Sequence, residues 1–165
     1  MDDQNSFRKF IEDLFSKIDA QILEQLGKTA FEIGSTALVG FHFNEMIITA
    51  NLGDSRAILC RNKTPHALST DHNCSNERER AWLLQRGISI IEKRIMGMLA
   101  VTRSFGDFQF KHQSGLFQNN HDAVICLPEV TFTPLKENID DFLIFGSDGL
   151  FSVVSDEIII STIES

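Results

Sequence analysis

The 165-residue sequence predicts an α+β fold in which helices cover antiparallel sheets. Apolar side chains recur at helical spacing through residues 6–26, and short segments of strand type follow between residues 36 and 61. A further helical segment begins after Ser155. The predicted strands are joined by links of about two residues, and parallel strands need much longer crossovers. Consecutive strands are therefore expected to pair in antiparallel fashion.

The first predicted helix, residues 6–26, is long and amphipathic. Its apolar stripe is wide enough to lie across a sheet, so we interpret it as a packing helix. Ser6 is the predicted N-cap, because its hydroxyl can accept a backbone hydrogen bond. Gly27 is the predicted stop, since glycine adopts the left-handed conformation that ends many helices.

Short strands are predicted next. Residues 36–43 and 46–50 are expected to form a hairpin whose tight turn is Asn44-Glu45. A turn at Gly53-Asp54 leads to a third strand over residues 55–61, which ends at another turn.

The second half of the chain alternates between strands and helices. Residues 76–86 predict a helix that Gly87 closes, and Ser155 is the predicted N-cap of the last helix. A polar loop is predicted over residues 107–122. Further strands are predicted over residues 88–91, 98–102, 130–133 and 142–145.

Composition excludes several classes of protein. The net charge is −8, with 15 Lys and Arg against 23 Asp and Glu, so the chain lacks the basic surface that nucleic acids or anionic membranes attract. The apolar runs are shorter than the roughly 20 residues of a membrane span. Three cysteines without CxxC spacing predict free thiols. With no secretory signal pattern at the N-terminus, we expect an intracellular protein without nucleic-acid or membrane partners.

Two acidic residues are candidate ligands for a metal ion. Asp148 follows an apolar strand, and a carboxylate in that position is expensive to desolvate unless it is paired or binds a cation. Asp54 lies at a turn between strands, where a turn role is the favoured interpretation. Arg103 is expected to pair with a buried acid, although a guanidinium also fits a phosphate. The sequence contains no P-loop, no GxSxG and no zinc spacing.

Taken in order, seven segments resemble the metal-dependent PP2C-type (PPM) protein serine/threonine phosphatases. They are GSTA at 34–37, NLGDSR at 51–56, LSTDH at 68–72, ERER at 77–80 with Gly87, LAVTRSFGD at 99–107, PEV at 128–130, and FLI leading into SDG at 142–149. No single segment is specific, but the ordered set is. The alternative of an unrelated metal-free α+β domain would require all seven matches to be accidental.

The resemblance implies a fold and a chemistry. The fold is an antiparallel β-sandwich flanked by helices (αββα). The reaction is hydrolysis of phosphoserine and phosphothreonine by water activated between Mg²⁺ or Mn²⁺ ions. Asp148 matches a metal ligand of the family, and Asp54 matches an acid near a more weakly held metal. The supporting positions of the family are matched by Asp71, His72, Arg103 and Asp107.

Departures from the family pattern shape the functional hypothesis. The sequence contains no Asp-Gly-His, the family motif whose Asp bridges two metals, and Phe151 and Ser152 stand where the family has Trp-Asp. A late Asp-Asn motif of the family has no counterpart either. We therefore expect residues 1–165 to be a single, N-terminally incomplete domain that binds its metal weakly, in the millimolar range or worse, and is catalytically weak or inactive.

Two alternatives remain open from the sequence. The chain is an active phosphatase completed by another chain or a longer product, or it is a non-catalytic module that binds a phosphoprotein or a regulatory protein. Exposed sheet edges and apolar helix surface also predict self-association.

Overall fold

The computed structural model describes residues 2–111 and 122–165, so part of the polar loop predicted at 107–122 lies outside the described residues. The helices are α1 (Asp2–Leu26), α2 (Glu77–Gln85), α3 (Asp148–Phe151) and α4 (Asp156–Glu164). The strands are β1 (Gly34–Ser35), β2 (Ala37–Phe43), β3 (Met46–Leu52), β4 (Arg56–Arg61), β5 (Thr64–Ala67), β6 (Ile90–Ile91), β7 (Arg94–Ile95), β8 (Phe105–Gly106), β9 (Glu129–Pro134) and β10 (Asp140–Gly146).

Two three-stranded antiparallel sheets form the centre of the molecule. The first sheet has the order β2-β3-β9 and the second the order β10-β4-β5. Ile47 of β3 packs with Ala57 and Leu59 of β4 between the two sheets. Ile48, the next residue along β3, faces α1 instead, because neighbouring side chains on a strand point to opposite faces. The α+β class and the αββα arrangement are thus confirmed.

Helix α1 covers the outer face of the first sheet. Ile11 and Phe15 are buried there against Ile48 and Val130. The helix begins at Asp2, so Ser6 lies inside it and the predicted N-cap is wrong. The α-helix ends at Leu26 as expected, and Gly27 has a φ of +53°.

Helices α3 and α4 cover the outer face of the second sheet. Ile159 and Ile160 pack on Ile58 and Phe151 in a separate apolar cluster. The Ser155 hydroxyl accepts a hydrogen bond from the backbone N–H of Ile158 at 3.4 Å, which confirms its predicted capping role.

The predicted hairpin forms, but the next strand pairing is wrong. β2 and β3 pair from Ala37–Leu52 to Phe43–Met46, with Asn44 at a φ of 54° in the turn. β3 and β4, however, belong to different sheets. The link between them carries the chain from one layer to the other, which a short connection can do without hydrogen bonds between its two strands.

Other strand predictions need correction as well. Residues 98–102 form isolated bridges rather than a strand, and the strand at 88–91 shrinks to the short β6–β7 pair. Strand β5 was not predicted. It pairs with β4 through a turn in which Asn62 and Lys63 have φ values of 51° and 60°. Among the described residues, no helix combines the length and the apolar character needed to cross a membrane.

Candidate functional site

Asp54 and Asp148 lie at the same end of the second sheet. β4 and β10 pair in antiparallel register, with Gly146 opposite Arg56. Two residues before Arg56 is Asp54, and two residues after Gly146 is Asp148, the first residue of α3. The strand register therefore brings together two acids that are 94 positions apart in the sequence.

The charges at this end of the sheet act on one another. Burial raises the pKa of Asp54 above its usual value, the negative charge of Asp148 raises it further, and Asp71 adds to the effect. Asp54 is half-buried, whereas Asp148 is exposed to solvent. Carboxylates that repel one another at an accessible position suit a hard divalent cation, because the cation removes the repulsion. The donor set present therefore fits Mg²⁺ or Mn²⁺.

The turn that carries Asp54 is held rigidly at Gly53. The Gly53 carbonyl accepts hydrogen bonds from Asn51 Nδ2 at 3.1 Å and from the His72 backbone N–H at 3.0 Å. Gly53 has a φ of +105°, and a Cβ there would overlap Thr36 and come within 3.2 Å of the Arg103 carbonyl oxygen. Only glycine fits this position, so the chain holds Asp54 in a fixed place.

The side chain of His72 is bonded to the backbone of the same turn. Its Nδ1 accepts a hydrogen bond from the Gly53 N–H at 3.3 Å, so the neutral ring carries its proton on Nε2. Nε2 lies 4.0 Å from Glu129 Oε2, and neither atom has a hydrogen-bond partner among the described residues. Burial, followed by the charge of Arg103, lowers the pKa of His72 to about 4. The buried ring is therefore neutral at pH 7 and positions the turn.

Asp71 is held in an ion pair. Arg56 Nη2 donates to Asp71 Oδ2 at 2.8 Å and Arg56 Nε to Oδ1 at 3.1 Å. The same guanidinium donates to Asp156 at 2.9 Å and lies over the Phe151 ring. Arg56 thus joins β4 to α4 through Asp156 and to the segment after β5 through Asp71, and both carboxylate oxygens of Asp71 are already engaged.

Arg103 and Asp107 are held by internal contacts. Arg103 donates to Glu79 at 2.6 Å and to the Leu127 carbonyl at 2.9 Å. Asp107 Oδ2 accepts a hydrogen bond from Ser104 at 2.7 Å. Both acidic partners, Glu79 and Asp107, are at least nine-tenths buried. Within the described part of the chain, Arg103 therefore contacts a carboxylate and a carbonyl, and these contacts are structural.

A second group of possible metal donors lies elsewhere. Among residues 2–111 and 122–165, Cys60, Asp141 and Glu164 form the one group of three or more His, Cys, Asp or Glu donors whose ligand atoms lie within 4.8 Å of one another. Burial, then Glu164 and Asp141, raise the pKa of the Cys60 thiol. Asp54, Asp148 and Asp71 do not form such a group, so the end of the sheet at Asp54 and Asp148 offers two carboxylates that interact electrostatically rather than a complete set of metal ligands.

Sequence reasoning missed three residues that build this region. Glu129 and Glu79 lie in segments that resemble the family, but the sequence assigned no role to either. The sequence also did not predict that Arg56 pairs with Asp71. A single sequence gives no signal for these contacts, because each joins residues at least 15 positions apart. The sequence predicted that Arg103 pairs with a buried acid, but it did not identify Glu79 as that acid.

Comparison with known proteins now defines the fold and the family. A C. elegans sex determining protein superposes on 93% of the chain with a TM-score of 0.75 at 23% identity, and the chain covers 36% of it, so this likeness concerns the fold. A phosphatase from Toxoplasma gondii matches 72% of the chain with a TM-score of 0.59 at 31% identity, with 34% of that protein covered. The molecule therefore has the fold of a phosphatase of known structure.

Sequence comparison leads to the same class. The family model Protein phosphatase 2C matches residues 1–165. Protein phosphatase 2C 77 of Arabidopsis thaliana is 39% identical over 93% of the chain, and Protein phosphatase 2C 1 of Paramecium tetraurelia is 29% identical over 98%. The chain belongs to the Protein phosphatase 2C family. It spans 34% of the first relative and 57% of the second.

Proposed function

We propose that this chain is a PP2C-like protein serine/threonine phosphatase domain that is catalytically weak or inactive alone. The observation that carries the proposal is the convergence of Asp54 and Asp148 at one end of the second sheet, where the charge of Asp148 raises the pKa of Asp54. This pair is a place for Mg²⁺ or Mn²⁺. The family membership supports phosphorylated serine and threonine side chains as the substrate class.

The proposed roles of the residues follow from their positions. Asp148 and Asp54 hold the cation through carboxylate oxygens, while Asn51 and His72 keep the Asp54 turn in place. A bound divalent ion neutralises phosphoryl charge and lowers the pKa of a coordinated water. The exposed position of Asp148 leaves room for a phosphate group to approach.

Weakness follows from the number of free carboxylates. Mg²⁺ prefers near-octahedral oxygen coordination and gives up its water reluctantly, so two carboxylates hold it loosely. Asp71, the next acid in the region, is engaged by Arg56 at 2.8 Å. Phosphoryl transfer depends on positioning and charge stabilisation, so a loosely held ion supports little turnover.

Metal binding and turnover test the proposal separately. Titration of the chain with Mn²⁺ is expected to give millimolar or weaker affinity, lowered further by Asp148→Asn. Glu137→Gln, an exposed acid on the turn before β10, is the matched control. A phosphothreonine peptide and p-nitrophenyl phosphate report hydrolysis. Micromolar Mn²⁺ affinity or rapid Mn²⁺-dependent turnover that Asp148→Asn abolishes would contradict the proposed weakness.

A second candidate is an enzyme completed by additional polypeptide. The relatives extend well beyond the matched region, since the chain spans only 34% of one and 57% of another. In that case, a longer product or a second chain supplies further metal ligands. The test adds to this chain the part of a relative that lies outside the matched region. Turnover that appears only after this addition would favour this candidate over the first.

A third candidate is a non-catalytic module that binds a phosphoprotein. It is supported by a shallow surface depression beside Asp71, formed by Thr70, Asn73, Asn76 and the 84% exposed side chain of Arg78. An exposed guanidinium can bind phosphate oxygens through two hydrogen bonds. Saturable binding of a phosphopeptide without hydrolysis, lost in Arg78→Ala, would favour this candidate. Three free thiols support an intracellular site of action for any of the three.

A further inference from the structure

Four buried polar atoms have no hydrogen-bond partner among the described residues. They are Thr49 Oγ1 and Asn51 Oδ1 on β3, Glu129 Oε2 on β9, and His72 Nε2. The residues Thr49, Asn51 and His72 are each only 1% exposed. Buried polar groups in native proteins are nearly always paired, because an unpaired one loses its hydration without compensation. Unpartnered atoms of this kind point to a ligand.

Three of these atoms belong to side chains that lie beside one another. Asn51 and Glu129 are directly opposite in the antiparallel register of β3 and β9, so their side chains share one face of the sheet. His72 Nε2 lies 4.0 Å from Glu129 Oε2. Asn51 donates to the carbonyl of Gly53, and His72 accepts from the N–H of the same residue. We call Asn51, His72 and Glu129 the polar cluster.

The backbone fixes the distance between His72 and Glu129. The His72 N–H donates to the Gly53 carbonyl and the His72 carbonyl accepts from the Thr102 N–H, both at 3.0 Å. Glu129 is held by the pairing of β9 with β3. The separation of 4.0 Å is too long for a direct hydrogen bond. Two atoms that share one water molecule at about 2.8 Å each are about 4.0–4.5 Å apart, so the spacing suits a small bridging molecule.

The directions of the existing hydrogen bonds limit what the ligand can be. His72 Nδ1 accepts from the Gly53 N–H, so Nε2 of the neutral ring carries a proton and can only donate. Asn51 Nδ2 donates to the carbonyls of Gly53 and Thr70, which leaves Asn51 Oδ1 as an acceptor. Oε2 of the Glu129 carboxylate is also an acceptor. The ligand must therefore accept one hydrogen bond and donate two.

We propose that a buried water molecule binds in the polar cluster and joins His72, Asn51 and Glu129. Water has two protons to donate and lone pairs to accept, which complements the three atoms. A metal ion or an ammonium ion cannot accept a hydrogen bond from His72, and an alcohol has one hydroxyl proton where two are needed. Internal waters typically form about three hydrogen bonds with protein groups, as this one does.

The water makes Glu129 a positioning residue for the Asp54 turn. Glu129 holds the water, the water holds the His72 ring, and Nδ1 of the ring holds the backbone of Gly53, next to Asp54. An ion pair between Glu129 and a doubly protonated ring would turn Nδ1 into a donor, which could no longer accept from Gly53. The water thus satisfies the carboxylate and leaves the turn supported. The role toward Asp54 rests on the proposed function, whereas the water site does not.

A crystal structure of the chain tests the site directly. We expect electron density for one water molecule within about 3.2 Å of His72 Nε2, Asn51 Oδ1 and Glu129 Oε2. Three results overturn the proposal: a direct contact between His72 and Glu129, a metal ion detected by its anomalous scattering, or a site without density.

Two substitutions of Glu129 test the site in solution. Glu129→Gln and Glu129→Met both remove the charge that Arg78 faces at 3.8 Å, but only glutamine keeps an oxygen that accepts from the water. Glu129→Met should therefore have a Tm about 4 °C or more below that of Glu129→Gln. Magnetic relaxation of water oxygen, which counts long-lived internal waters, should find one fewer water in Glu129→Met.

The control and the contradicting outcomes are equally specific. Glu137→Gln, at an exposed acid before β10, should change neither the Tm nor the number of internal waters. Equal Tm values for the two Glu129 variants, or equal numbers of internal waters, would overturn the proposal. None of these measurements depends on metal binding or phosphatase activity, so the water site can fail while the proposed function stands, and the reverse.

Discussion

The Gly53 turn and strand β2 differ in how closely the described part of the chain holds them. At the turn, Asn51 and His72 form hydrogen bonds with the Gly53 backbone, and a Cβ at Gly53 would overlap a neighbouring side chain, so the chain has little freedom to rearrange. At the end of β2, the side chain of Phe43 is 67% exposed. The comparison teaches that the candidate site rests on a closely packed turn, whereas β2 keeps much of its apolar surface in solvent.

The largest effect is expected at the buried pair of Glu79 and Arg103. Glu79 accepts hydrogen bonds from Arg103 and from Thr102 Oγ1, both at 2.6 Å. Burial alone raises the pKa of Glu79, but these hydrogen bonds outweigh burial and lower it. Glu79→Ala leaves a buried guanidinium without its counterion, so it should reduce the free energy of unfolding by about 3–5 kcal/mol.

Urea denaturation at pH 7 measures this effect. Glu77→Ala, an exposed acid in the same helix turn, should change the stability by less than about 0.5 kcal/mol. Equal effects of the two substitutions would show that the buried contacts of Glu79 contribute no more to the free energy of unfolding than those of an exposed residue.

The next effect is a loss of stability on mild acidification, caused by His72. Its pKa is about 4 in the folded chain, and an unfolded histidine has a pKa near 6.5. Below pH 6.5 the unfolded chain binds a proton that the folded chain does not, so stability falls as the pH drops from about 6.5 to 4. The full loss is about 3 kcal/mol. The charged neighbours that act on the ring are Arg103, Glu79, Glu129 and Asp71.

Denaturation curves at several pH values between 7 and 4 test this effect. His72→Gln keeps a hydrogen-bonding side chain but cannot titrate, so its stability should change less over that range. A wild-type stability that stays constant from pH 6.5 to 4.5 would contradict the buried, neutral state of His72.

A smaller effect is expected at the ion pair between Arg61 of β4 and Asp140 of β10. Arg61 donates to both oxygens of Asp140, at 2.6 and 2.8 Å, and thereby lowers the pKa of Asp140 to about 2. The contribution is complete above pH 4, where an unfolded aspartate is also ionised, and it is lost as the pH falls through 2. The loss is about 2 kcal/mol, and Asp140→Asn should remove this part of the acid dependence. Asp13→Asn, an exposed acid on α1, should leave it unchanged.

The sequence predicted those features of the fold that depend on neighbouring residues. The β2–β3 hairpin, the end of α1 at Gly27 and the Ser155 cap each follow from a few adjacent side chains. The crossing from β3 to β4 between sheets was missed, because a short link looks the same whether or not its strands pair. Residues 98–102 have the apolar composition of a strand, but their backbone partners are the isolated bridges of Val101 and Leu99.

The candidate site divides in the same way. Asp54 and Asp148 could be selected from local motifs, but their proximity depends on the register of β10 against β4. The contact between His72 and Glu129, and the pairing of Asp71 with Arg56, join distant segments that only the folded chain brings together. Long-range register is a property of the whole core, and a single sequence contains no direct record of it.

The smallest effect is expected at Phe43, at the end of β2. Its side chain is 67% exposed, so Phe43→Ser removes little buried surface and should change the free energy of unfolding by less than about 0.5 kcal/mol. Thermal unfolding of the wild-type and Phe43→Ser chains measures the difference. A large loss of stability would mean that the Phe43 side chain is buried, and the contrast between the closely packed Gly53 turn and the exposed end of β2 would then no longer hold.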